Sequence, residues 1–130
     1  MPARTTKPKR RPGRSEHSLQ AACVAWAKLS ADAPRKAKLI FAIPNGGKRG
    51  IITAIKLKAE GVTAGVPDLC LPVARGGYHA LYIEMKTETG TVSESQHKMR
   101  TAFEAEGNAV LVIRSFEEFQ AAIRFYLNQK

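Results

Sequence analysis

Beginning at Ser15, apolar residues return every three or four positions (Leu19, Cys23, Trp26, Leu29), which predicts a helix capped by the Ser15 hydroxyl and ended before Pro34. Leu39 to Pro44 reads as a short strand, closed by the turn residues Asn45, Gly46 and Gly47. Lys48 to Glu60 reads as a second helix with Ile52, Ile55 and Ala59 along one face, stopped at Gly61. Asp68 to Val73 and Tyr78 to Lys86 then form two apolar runs joined through Arg75, Gly76 and Gly77, the signature of an antiparallel hairpin. Ser93 with Gln96 three residues on predicts a capping box, opening a helix with an apolar stripe of Met99, Ala102 and Phe103 that ends at Gly107. Ala109 to Ile113 is an unbroken apolar run, expected of a strand covered on both faces. Ser115 caps a last helix carrying Phe116, Phe119, Ile123 and Leu127. The order α β α β β α β α predicts an α/β domain, a mixed sheet flanked by helices, over residues 15–130.

The first fourteen residues break this pattern. They hold Arg4, Lys7, Lys9, Arg10, Arg11 and Arg14 with three prolines and no acid, a composition that cannot bury enough apolar surface to fold, and so predict a flexible basic arm. These six cations dominate the charge: 21 Lys and Arg stand against 11 Asp and Glu, for a net +10. A polyanionic partner, nucleic acid first, is favoured, the bland alternative for the arm being a solubilising tail. No apolar run approaches the roughly 18 residues of a membrane span, and no apolar segment follows the basic start as in a signal peptide, so a cytoplasmic protein with no membrane partner is expected. Cys23 and Cys70 lack metal-ligand spacing and read as reduced core residues, and Trp26 reads as core. His17, His79 and His97 read as surface histidines.

Chemistry concentrates in Pro67-Asp68 and, sixteen residues on, Glu84-Met85-Lys86. On a strand Glu84 and Lys86 share one face and Met85 takes the other, and the hairpin brings Asp68 beside them. Two carboxylates at one place repel unless a divalent cation stands between them. Mg²⁺ or Mn²⁺, held by Asp68, Glu84 and the Met85 carbonyl, would suffice, because Mg²⁺ keeps several waters and uses few carboxylates. Lys86 beside that cation could orient an attacking water and place positive charge near a phosphodiester transition state. Taken alone, the pair Glu84 and Lys86 would equally suit a solvated ladder on an exposed strand.

Further blocks, in order, decide between the two: Glu16 with Gln20, Pro44-Asn45-Gly46-Gly47 with Arg49, Gly65-Val66-Pro67-Asp68-Leu69, Ile83-Glu84-Met85-Lys86, Ser93 with Gln96, and Gly107 before the last strand. From Ser15 to Arg114 the chain resembles the VRR-NUC (virus-type replication-repair nuclease) domains of the PD-(D/E)xK superfamily. The resemblance implies that superfamily's restriction-endonuclease-like core and metal-dependent hydrolysis of DNA. It makes Asp68 and Glu84 metal ligands and Lys86 the catalytic lysine. Glu16 becomes the first-helix acid that points at the metal directly or through water, and Gln96 the polar residue close to the site on the helix behind the active strand. Asn45, Lys48 and Arg49 fall in the family's glycine-rich turn, where backbone N–H groups and basic side chains can hold a phosphate, and Arg10, Arg11 and Arg14 of the arm join them as DNA contacts. Met85 departs from the branched or leucine residue more usual between the glutamate and the lysine.

The stand-alone members that this chain resembles imply branched DNA, in particular four-way (Holliday) junctions, as substrate. Resolving a junction takes two symmetric incisions, so a homodimer follows from that substrate. A flap-processing or restriction-like nuclease with the same site is the alternative, and a non-catalytic basic binding module is a third reading. The last would have no need of acids beside a phosphate.

Overall fold

The structure, a computed structural model, describes residues 15–44 and 50–130. The basic arm and the turn carrying Asn45, Lys48 and Arg49 lie outside those residues. Helix α1 (Glu16–Leu29) starts where the Ser15 hydroxyl accepts the Ser18 N–H at 3.1 Å, and it buries Leu19, Cys23, Trp26 and Ala27. A 3-10 turn, Arg35–Leu39, follows. Strand β1 is only Phe41–Ala42, so the expected strand from Leu39 to Pro44 is cut short: Pro34 starts a tight turn that consumes Leu39. Helix α2 (Ile51–Ala59) falls within the expected range but buries none of its residues, leaving Ile51, Ile52 and Ile55 exposed.

Strands β2 (Leu69–Leu71) and β3 (Leu81–Met85) form the expected antiparallel pair, Leu69 opposite Ile83 and Leu71 opposite Leu81. Both are shorter than predicted, because the connection widens into a loop whose tip is the Arg75–Tyr78 bridge around Gly76 and Gly77. Helix α3 (Glu94–Ala105) crosses over to β4 (Ala109–Ile113), which runs parallel to β3, and α4 (Phe116–Asn128) closes the fold from its Ser115 cap. The sheet order is β1-β2-β3-β4, mixed, so β4 is an edge strand; Leu111 is accordingly exposed rather than covered on both faces.

Alternation on the strands divides the molecule. Leu69, Leu71, Leu81, Ile83 and Met85 are wholly buried against α1 and α4, where Trp26 meets Phe116 and Phe119 edge-on and Arg124 stacks over its indole. Each such aliphatic side chain contributes about 1.5–3 kcal/mol by leaving water, so this face supplies the stability of the fold. The opposite face carries Asp68, Cys70, Tyr82, Glu84 and Lys86 beneath α3, where Tyr82 packs on Phe103 with ring centroids 4.7 Å apart. Met99 and Phe103 are only half-buried and α3 has no fully buried residue, so α3 is a cover over polar groups rather than part of the main core. Cys23 and Cys70 are buried and not joined in a disulfide, and His17, His79 and His97 are exposed. Among the described residues no helix is long and apolar enough to cross a membrane.

Candidate active site

Asp68 sits where β2 begins, and both of its backbone groups are used: its N–H donates to the Ile83 carbonyl at 3.0 Å and its carbonyl accepts from Ile43 at 2.8 Å. So anchored, its Oδ2 accepts the Met85 N–H at 2.7 Å. Glu84 and Lys86 project from the same face of β3 as expected, 5% and 8% exposed, while the Met85 side chain points into the core. Three ionisable groups are therefore buried together on one face of the sheet.

Gln96 completes the arrangement with a single amide. Its Oε1 accepts the Ser93 N–H at 2.8 Å, closing the capping box, and its Nε2 donates to Glu84 Oε1 at 2.7 Å. Since the Ser93 N–H requires an acceptor, the two bonds together fix which end of the amide faces Glu84. The residue that starts α3 is thus the residue that holds Glu84.

Burial pushes the Glu84 carboxyl up to about 8; the Asp68 charge and a hydrogen bond to Asp68 act in the same direction, Lys86 opposes them, and Glu16 adds a small further rise. Two like charges side by side in a poorly hydrated spot repel strongly, which the nearby lysine only partly offsets. Without a further cation the pair keeps a proton below about pH 8. Glu16 stands exposed in the first turn of α1, near enough for its charge to be felt at Glu84. Among the described residues no three His, Cys, Asp or Glu side chains gather closely enough to hold a metal ion by themselves.

Two features of the site escaped the sequence. Gly65, with φ +85°, lies against the first turn of α3: a Cβ there would fall on the Ser95 carbonyl and 3.0 Å from the Gln96 nitrogen. The Gly-Val-Pro-Asp block carried the family resemblance but gave no sign of this contact. Cys70 and Tyr82 hydrogen-bond beside the acids, and burial pushes the Cys70 thiol up against the lowering effect of that bond, which suits an inert thiol.

The sequence model of the VRR-NUC domain matches residues 4–117. Among solved structures, a chain titled VRR_NUC domain protein is 26% identical and superposes with a TM-score of 0.77, covering 92% of this chain and 93% of that one. No curated protein matches the chain.

Proposed function

Because the chain belongs to the VRR-NUC family of nucleases, we propose that it is a divalent-metal-dependent DNA endonuclease with Asp68, Glu84 and Lys86 at its centre, acting on branched DNA and foremost on four-way junctions. The observation that carries the reading is the buried Asp68 and Glu84 pair beside Lys86, in which Glu84 is pushed up to about 8. Below about pH 8 such a pair becomes doubly ionised only when a cation joins it. Asp68, Glu84 and the Met85 carbonyl would hold Mg²⁺ or Mn²⁺, with Glu16 reaching it through water. This small oxygen set suits an ion that retains much of its hydration. When bound, such an ion makes water a better nucleophile and neutralises developing charge on the phosphate.

The protein's own groups do the rest. Asp68 is locked by its backbone bonds and by Met85, and Glu84 by Gln96, so neither carboxylate must reorganise as the phosphate arrives. The Lys86 ammonium stands on the same face, where it can donate to the attacking water or to a phosphate oxygen. Asn45, Lys48 and Arg49, with Arg10, Arg11 and Arg14 of the arm, are assigned to the DNA backbone. Deleting residues 1–14 is expected to weaken DNA binding and to flatten the log-log salt dependence by up to roughly 5, if all six charges meet phosphate. An unchanged slope in a binding titration would reduce the arm to a solubilising tail.

Incubation with labelled duplex, flap and four-way junction DNA tests the reading. Cleavage with Mg²⁺ or Mn²⁺ and none in chelator is expected, the junction being cut fastest. No cleavage of any substrate with either metal would overturn it, and preference for flaps would move the substrate. One such domain cuts one strand, so paired incisions call for a homodimer. Mass in solution at micromolar concentration checks this, and wild type mixed with Asp68→Asn should nick junctions without resolving them.

The acid pair also sets a pH dependence. Between about 4.5 and about 8 the folded chain holds a Glu84 proton that the unfolded chain has released, so the stabilisation present at low pH is lost as pH rises through that window. Melting of metal-free protein should therefore fall from pH 5 to pH 8. Added Mg²⁺ should raise the melting temperature most at the alkaline end, and Glu84→Gln should remove both the slope and the metal effect. A metal-free slope unchanged in Glu84→Gln would assign it to other groups.

A further inference from the structure

Lys86 is followed by Thr87, Glu88, Thr89 and Gly90, a segment with no helix or strand of its own before α3 begins. One internal hydrogen bond closes it, Gly90 N–H to the Thr87 carbonyl at 3.2 Å. A cation ties it to the body. Arg114, the residue after β4, donates through Nη1 to the Gly90 carbonyl at 2.6 Å and the Thr87 carbonyl at 2.8 Å, with the Glu88 carbonyl at 3.5 Å. Its neighbour Ile113 accepts the Lys86 N–H at 3.0 Å. The end of β4 thus grips Lys86 by its own backbone and by the turn that follows it.

That turn faces the lysine side chain. A Cβ added at Gly90 would stand in ordinary contact with Lys86 Cδ, at 3.5 Å, and 3.1 Å from Thr87 Oγ1, so the glycine faces the lysine stem with room for little more than a methyl between them. A lysine has a flexible four-carbon stem whose freedom must be removed before its ammonium can act at one point. Lys86 is only 8% exposed although the segment beside it holds no buried apolar residue. We propose that Arg114 is a positioning residue for Lys86: by gathering the carbonyls of Thr87, Glu88 and Gly90 it holds the Gly90 turn facing the lysine stem. The catalytic consequence rests on the nuclease reading above; the brace itself does not.

The test uses the full chain and two independent readouts. In metal-free, DNA-free protein, amine acylation is followed residue by residue by mass spectrometry. In Arg114→Ala, Lys86 should react at least about fivefold faster than in wild type, as expected of local opening, with the exposed Lys98 unchanged. In single-turnover cleavage of saturating DNA, Arg114→Ala should lose roughly 10- to 100-fold in rate, the scale expected of a misplaced reacting group, with DNA affinity held within about twofold. Arg114→Lys should recover part of the rate, since an ammonium still reaches two of the carbonyls. Gly90→Val, which keeps Arg114 and crowds the stem instead, should reproduce both the faster labelling and the slower cleavage, and it decides the matter if Arg114→Ala does not fold. Wild-type labelling of Lys86 in natively folded Arg114→Ala and Gly90→Val would overturn the brace. If wild type cuts no DNA, the nuclease reading fails while the labelling still decides the brace.

Discussion

Asp68→Asn should lower the rate of DNA cleavage by roughly 10³-fold, at the upper end of what loss of one preorganised electrostatic partner costs, while leaving DNA binding at least as tight as in wild type. The two halves have one cause. Asp68 is buried with its Oδ2 on the Met85 N–H, and an asparagine can keep that bond through its carbonyl oxygen, so the fold has little reason to change. What disappears is half of the negative charge that would attract a divalent ion, and with it some repulsion of the phosphate. Lys86→Ala should likewise lose cleavage with binding retained, but its metal response should survive, because both acids remain. Rates under saturating Mg²⁺ and affinities in chelator check both. Full activity of Asp68→Asn in saturating metal would remove Asp68 from the mechanism.

The centre of this site was legible because it depends on local rules. Strand parity puts Glu84 and Lys86 on one face and Met85 on the other. The hairpin brings Asp68 alongside, and the capping-box spacing places Gln96 in the first turn of α3. The contacts that hold the site depend instead on crossover geometry. Nothing near Arg114 in the chain points to the carbonyls of Thr87 and Gly90, because a parallel β3-α3-β4 crossover separates them. Local turns, by contrast, shorten the strands. Leu39 and Tyr78 are apolar enough to extend strands, yet the 3-10 turn after Pro34 takes the first and the Arg75–Tyr78 bridge holds the second in a loop. Helix α2 was placed within a few residues by its apolar spacing, but the spacing does not say whether anything covers that face, and none of it is buried.

Gly65→Ala should be the most damaging single-methyl substitution near the site, and Gly77→Ala separates its two causes. Both glycines have φ +85°, so each alanine carries left-handed strain, on the order of 1–2 kcal/mol. Nothing lies within 4 Å of a Cβ at Gly77, whereas at Gly65 the methyl meets the Ser95 carbonyl and the Gln96 nitrogen, backbone atoms that cannot swing aside. The added methyl must therefore lift the start of α3 or push back the segment leading to Asp68. The first movement draws Gln96 off Glu84, now 2.7 Å apart, and the second draws Asp68 off Met85. Gly77→Ala should melt lower by about 3–10 °C, the range for a domain of this size, with cleavage per folded molecule unchanged. Gly65→Ala should melt lower still and lose roughly 100-fold in cleavage, as expected when reacting groups move by about 1 Å. Its Mg²⁺-induced rise in melting temperature should shrink as well, because the carboxylates no longer meet. Thermal melts with and without Mg²⁺, beside single-turnover rates corrected for folded fraction, measure all of this. If the two alanines behave alike, strain alone accounts for the glycine, and the packing of the Gly65 turn on α3 has no part in holding the acids together.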